Sequence, residues 1–222
     1  MNQSAELDWS EGIVPVSVRF ADSYYSGRDG LAEARHVYLA GNGLPERFAP
    51  GFRIAELGMG TGLNLLAALI AWRGAGIGGR LRYTGFEAFP MDAASMARAL
   101  GAFPEARAAA DPLLDAARRG ATRMETQDLE AEIILGDARK TVPRWPGRAD
   151  AWFLDGFAPA RNPEMWEPAL LAAMGARTAP GGSCASFTAA GHVRRALEGA
   201  GFAVTRAPGF GRKRHMTAGR LR

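Results

Sequence analysis

Four acidic residues occupy positions where chemistry can be organised. Glu56, Glu87, Asp137 and Asp155 each stand at, or just beside, the end of a short apolar run that reads as a β-strand. The first is followed, after Leu57, by Gly58-Met59-Gly60-Thr61-Gly62. Glycines in such a loop let the chain turn tightly and let backbone amides approach a ligand without Cβ atoms in the way. A carboxylate at Glu56 suits a cationic ligand group, and one at Glu87 can accept hydrogen bonds from two ribose hydroxyls. Asp137 could accept from an adenine amino group; its ordinary alternative is to cap the next helix. Asp155 leads into a Gly/Pro-fixed loop with aromatics, Gly156-Phe157-Ala158-Pro159-Ala160-Arg161-Asn162-Pro163, of the kind that orders a substrate. A carboxylate there can orient an acceptor amine and receive a proton. A primary ammonium titrates near pH ~10 by analogy with lysine, and nearby negative charge favours that charged form. Orientation is therefore the larger part of the role expected of Asp155.

The elements that must position these acids follow from periodicity. Apolar runs at 52–57, 81–86, 130–135, 150–154, 183–188, 202–206 and 215–221 read as strands. Helical patterns at 63–72, 91–100, 164–177 and 192–199 alternate with them; in the third, Trp166, Leu170 and Met174 share a face. Strand–helix alternation predicts an α/β, doubly wound, Rossmann-like sheet of about seven mostly parallel strands with helices on both faces. Pro180-Gly181-Gly182 reads as a breaker before the fifth strand. Gly74-Ala75-Gly76-Ile77-Gly78-Gly79 matches a dinucleotide fingerprint in letters, but it follows a helix and precedes a strand, so it reads as a loop. One domain is expected over 1–222, with 1–50 as an N-terminal extension packed on it and 102–128 as an insertion, within which 108–123 reads as Ala-rich, charged and helical at the surface.

The spacing G-x-G-x-G after an acid resembles the first motif of S-adenosylmethionine methyltransferases, whose ligand carries an amino-acid cation and no phosphate. Bulk properties agree with a soluble enzyme. Residues 177–222 hold nine Lys/Arg against one acid, Glu198, while the rest holds 18 basic and 22 acidic residues. So basic a tail suits a polyanion such as nucleic acid, or else a solvated surface. One cysteine, Cys184, excludes an internal disulfide and four-cysteine zinc sites. His36, His192 and His215 have no ligand spacing, so no metal is expected. An acidic start and the lack of a long apolar run point to the cytoplasm.

Longer motifs are more specific. Residues 150–163, the run Phe187-Thr188-Ala189-Ala190-Gly191-His192-Val193-Arg194-Arg195 and the tail Gly209-Phe210-Gly211-Arg212-Lys213-Arg214-His215-Met216 resemble bacterial tRNA 5-methylaminomethyl-2-thiouridine methyltransferases. The stretch 15–42, with Asp22-Ser23-Tyr24-Tyr25 and Asn42, is similar to that family too. The resemblance implies methyl transfer from S-adenosyl-L-methionine to the aminomethyl amine of 5-aminomethyl-(2-thio)uridine at the tRNA wobble position. It implies a cofactor set of Glu56, Gly58, Gly60, Gly62, Glu87, Asp137 and Asp155, with Asp155 also at the acceptor amine. Phe157 and Asn162 would meet substrate, and Arg194, Arg195, Arg212, Lys213 and Arg214 would meet tRNA phosphates. Phe157, Trp166 or Phe210 could stack on a displaced base, with core packing as the alternative for each. Bifunctional members of the family continue into an FAD-dependent oxidase domain. This sequence carries no second strand–glycine-loop–helix fingerprint, so it is expected to act only as a methyltransferase on precursor supplied by a separate aminomethyl-forming enzyme.

Three rivals remain from the residues alone. An aminopropyltransferase resembling spermidine synthases shares the fold and the acid after the fourth strand, but needs no basic tail. A nicotinamide-dependent oxidoreductase is disfavoured by the glycine spacing. A noncatalytic RNA-binding module with a vestigial pocket would have little reason to keep Glu56, Glu87 and Asp155.

Overall fold

The computed structural model describes residues 4–222; the first three residues of the acidic N-terminus lie outside it. The chain opens with a small antiparallel sheet, β1 (Leu7–Ser10), β2 (Val14–Ser17) and β3 (Asp22–Ser23). A short helix α1 (Gly30–Ala34) follows and runs into a π-helical turn, Arg35–Leu39, that buries Val37, Tyr38 and Leu39. Next comes β4 (Arg53–Leu57), almost wholly buried, as expected of a strand covered on both faces. It leads through the glycine loop into α2 (Leu63–Ala75), which buries Leu63, Leu65, Leu66, Leu69 and Trp72.

After β5 (Leu81–Glu87), helix α3 (Ala93–Leu100) starts two residues later than its apolar pattern suggests. Asp92 takes the cap position and accepts from the N–H groups of Ala94 and Ser95, satisfying two of the orphan donors. Helices α4 (Pro104–Ala109) and α5 (Asp111–Arg118) each begin at a proline or one residue before it, where the missing N–H is harmless. The 102–128 segment is thus helical as its composition suggests, but it is not confined to the surface. It buries Ala106, Ala110, Leu113 and Leu114 in the same core cluster as α2.

The segment then adds a strand that the sequence pattern does not reveal, β6 (Arg123–Glu125), three residues long and charged at both ends. It pairs antiparallel with β7 (Leu129–Leu135) at the sheet edge, so among the described residues the sheet has eight strands and not seven. Short, charged edge strands of this type resist pairing with other chains.

Helix α6 (Ala138–Arg144) and strand β8 (Ala149–Leu154) follow in α/β order. The helix expected over 164–177 is broken. A 3-10 turn, Pro163–Trp166, gives way to extended backbone at Glu167 (φ −60°, ψ 138°), and α7 (Pro168–Ala176) restarts behind it. The cause is Pro168, whose ring disfavours the α conformation of the residue before it. Trp166, Leu170 and Met174 are buried nonetheless. In β9 (Thr178–Ser186) the expected breaker sits inside the strand. Ala149 pairs with Thr178 but Ala151 with Ser183, so residues 180–182 bulge out and the ladder resumes. Finally α8 (Gly191–Gly199) precedes the hairpin β10 (Phe202–Pro208) and β11 (His215–Leu221).

The large sheet has the order β10-β11-β9-β8-β4-β5-β7-β6. The five strands from β9 to β7 are mutually parallel, and the flanking pairs are antiparallel. From β4 the chain winds outward one way through β5 and β7, then returns to build β8 and β9 on the other side of β4. The direction of winding reverses between β4 and β8. In open α/β sheets ligands bind outside the carboxyl ends of the strands at such a reversal. Among the described residues no helix is long and apolar enough to cross a membrane.

Candidate active site

A cavity of about 770 Å³ opens at that reversal, within the size range of small-molecule sites. Backbone hydrogen bonds bring the strand ends to one level: Gly58 N–H donates to the Phe86 carbonyl, Gly136 N–H to Glu87, and Asp155 N–H to Leu57. As a result Gly58, Gly60, Glu87, Asp137 and Asp155 all line one space, together with Phe157 and Asn162. Gly58 has φ +82°, and a Cβ there would press into the Asp155 carbonyl oxygen; Gly60 has φ +52° and lies against the Tyr24 ring. Only glycine combines that backbone with that closeness.

The acids do not play equal parts. Glu87 accepts from Gly60 N–H and Phe89 N–H, both at 2.8 Å, and burial raises its pKa against those bonds. Asp137 caps α6 through Arg139 N–H (2.9 Å) and is held below the usual carboxylate range mainly by the Arg139 guanidinium. The helix-cap alternative considered for it is therefore what the structure shows, on a side chain that also lines the cavity. Glu56 departs from expectation. It is fully buried and absent from the cavity lining, so it does not face a ligand cation directly. Its oxygens accept instead from Asn64 Nδ2 and the Tyr83 hydroxyl, each at 2.7 Å. Burial, then the Asp155 charge, raises its pKa well above the carboxylate range. Gly62 likewise lies behind the lining, under Leu113.

Asp155 opens partly into the cavity. The Tyr38 hydroxyl donates to its Oδ1 (2.5 Å) and Asn64 Nδ2 to its Oδ2 (2.7 Å). Desolvation pushes its carboxyl up to about 6; those two bonds and the Lys213 ammonium pull the other way, while Glu33 adds to the rise. A carboxylate poised there can exchange a proton near neutral pH.

The N-terminal sheet supplies the roof, a contribution that composition gave no reason to expect. Phe20 and Tyr24 pack on Phe157 with ring centroids 4.8 and 5.0 Å apart, and Arg19 lies 4.5 Å over Phe89. Asp22 Oδ2 accepts from Ala158 N–H (2.9 Å), tying this roof to the loop after β8. Tyr38, Asn64, Phe20 and Tyr24 line the cavity without having been assigned to it from the sequence. The available signals were an amide in an otherwise apolar helix start and the polar-aromatic run 22–25.

The basic residues separate into two groups. Arg195, Arg212 and Arg214 are exposed, Arg194 is half-buried, and none lines the cavity. Arg206, Arg214 and Arg194 help to depress the His215 pKa after desolvation, a sign of crowded positive charge on this face. Lys213 differs: its ammonium turns inward to Glu33 (2.7 Å), sits 4.5 Å over the Phe187 ring and lines the cavity. Of the aromatics considered for base stacking, Trp166 is buried and donates from Nε1 to the Phe157 carbonyl, and Phe210 packs near His36. Phe157 alone of the three reaches the cavity.

A family model described as S-adenosyl-L-methionine-dependent methyltransferase matches residues 105–222. The chain belongs to this family. The methyltransferase is 48% identical over 216 residues to the tRNA 5-methylaminomethyl-2-thiouridine biosynthesis bifunctional protein MnmC of Caulobacter vibrioides, covering 94% of this chain and 36% of that protein. The MnmC protein of Pseudomonas paraeruginosa is 46% identical over 228 residues, covering 98% and 35%. The chain therefore spans about a third of the length of these curated relatives. Among solved structures, MNMC2 from Aquifex aeolicus superposes with a TM-score of 0.80 at 27% identity, over 99% of this chain and 71% of that one. The doubly wound fold and the cofactor read from the sequence hold. The cavity wall fits S-adenosyl-L-methionine: its glycines leave a cradle that a Cβ would fill, with Glu87 at the next strand end.

Proposed function

We propose that this methyltransferase acts in the cytoplasm on tRNA, methylating the aminomethyl amine of 5-aminomethyl-(2-thio)uridine at the wobble position. The observation that supports the reading is that Gly58, Gly60 and Glu87 line the same cavity as Asp155. Similarity to MnmC proteins supports the choice of substrate. In this reading Gly58 and Gly60 give room for the cofactor's amino-acid end, Glu87 accepts from the ribose hydroxyls, and Asp137 faces the adenine. S-adenosyl-L-methionine supplies a methyl group made electrophilic by its sulfonium.

Asp155 accepts a hydrogen bond from the substrate amine, fixing the direction of its lone pair, and takes a proton at an Oδ atom as the amine loses it. The aromatic roof of Phe20, Tyr24 and Phe157 keeps water from the reacting amine and offers ring faces to the uracil. Arg194, Arg195, Arg212 and Arg214 meet tRNA phosphates outside the cavity. The aminomethyl precursor comes from a separate enzyme activity. The test is methyl transfer from labelled cofactor to tRNA from cells lacking this protein, followed by nucleoside analysis. Label in 5-methylaminomethyl-type uridine is expected; label elsewhere, or in a free polyamine, overturns the reading.

A further inference from the structure

Asp155 is one member of a polar chain that crosses three neighbouring strands. The Tyr83 hydroxyl, on β5, donates to Glu56 Oε2 on β4. Asn64 Nδ2, on α2, donates to Glu56 Oε1 and to Asp155 Oδ2, both at 2.7 Å. Tyr38, from the π-helical turn, closes the chain on Asp155 Oδ1. Tyr38, Asn64, Glu56 and Tyr83 are all buried. An amide nitrogen carries two hydrogens, and here each has its own carboxylate. The alternative orientation of Asn64 would aim its carbonyl oxygen at two acids, so the surroundings decide which end faces them.

We infer that Asn64 and Tyr38 are positioning residues for Asp155, and that Glu56 serves the site by fixing Asn64 and not by meeting the cofactor. The inference rests on the proposed role of Asp155 at the acceptor amine. Each Asp155 oxygen has one fixed donor, which sets the plane of the carboxylate. A remaining lone pair is free to point into the cavity. Buried donors aimed at a carboxylate also favour its ionised form. The groups bearing on Asp155 come from every packed element: Glu33 from α1, Tyr38, Glu56, Asn64, Tyr83, and Lys213 from the hairpin loop. Of these only Tyr38 and Asn64 touch it by side-chain hydrogen bonds.

The experiment measures kcat/KM for methyl transfer to tRNA against pH, together with cofactor affinity, for the unaltered protein, Asn64→Ala, Tyr38→Phe and Asp155→Asn. Removing a donor to the carboxylate is expected to lower kcat/KM by at least about tenfold near pH ~6.5. The deficit should shrink as pH rises, because the acid limb has moved to higher pH, and cofactor affinity should be unchanged. In an Asp155→Asn background neither substitution should lower the rate further. Tyr38→Phe keeps the ring's packing and carries the test if Asn64→Ala fails to fold. A deficit equal at all pH values, or one that follows cofactor affinity, overturns the inference. Full turnover by Asp155→Asn overturns instead the role assigned to Asp155, so the two failures are distinguishable.

Discussion

The wall where β4, β5 and β8 end and the face built by α8 and the β10–β11 hairpin carry opposite charges and treat them in opposite ways. On the wall, Glu56 is buried and Glu87 and Asp155 are half-buried, and the hydrogen bonds each accepts come from fixed donors. On the other face, Arg195, Arg212 and Arg214 extend into solvent. Buried charges held by several donors have fixed geometry and shifted pKa values, the requirements of chemistry. Exposed cations on long side chains act through summed charge and release of counterions, the requirements of binding a polyanion. Lys213 belongs to the second region by sequence and to the first by contact.

Substitutions can break or sharpen this contrast. The largest effect is expected of Asp155→Ala: methyl transfer falls by about 10²–10⁴-fold while cofactor affinity stays within a few-fold, measured by single turnover and calorimetry. Retained turnover would erase the distinction. Arg212→Ala with Arg214→Ala should do the converse. Affinity for tRNA weakens and the slope of log K against log salt flattens by about two, with kcat at saturation intact. Lys213→Met decides to which region that residue belongs. Because its ammonium lowers the Asp155 pKa, losing it moves the acid limb of kcat/KM to higher pH while the salt slope barely changes. A changed slope with a fixed limb would place Lys213 among the phosphate contacts.

Stability offers a subtler check. The Asp155 carboxyl titrates at about 6 in the folded protein, above its ordinary value of 3.8. The folded state therefore binds more protons than the unfolded state between those values, and the residue's contribution to stability is lost as pH rises through that window. Asp155→Asn, neutral throughout, should gain in Tm over the unaltered protein from about pH 4 to 7 and level off above. The smallest effect tests a site outside both regions. Asp92→Ala removes the cap of α3 and should cost about 1 kcal/mol in denaturant unfolding without altering kinetics.

Local patterns made the strand ends, the glycine loop and their acids legible, because one strand with its following loop is read from a dozen contiguous residues. What stayed hidden depends on contacts between distant segments. Tyr38 and Asp155 are 117 positions apart, and Asn64 and Asp155 are 91 apart. No periodicity within a short window encodes such a meeting. Glu56 shows the limit from the other side: its type and position were right for a site, yet the hydroxyl of Tyr83 and the amide of Asn64 claim it for support. The break at Pro168 was legible in principle, since a proline restricts its predecessor, but the shared apolar face of Trp166, Leu170 and Met174 masked it.

The strand at the centre of the sheet has a consequence for how the molecule comes into being. β4 needs β8 on one side, and β8 is translated almost a hundred residues later. During synthesis the glycine loop is thus made well before Asp155, which lines the same cavity. Parallel pairings separated so far along the chain are slow to form, which leaves an apolar strand edge open for a time. Cofactor present at the moment β8 docks would bind only the completed arrangement and draw the equilibrium toward it.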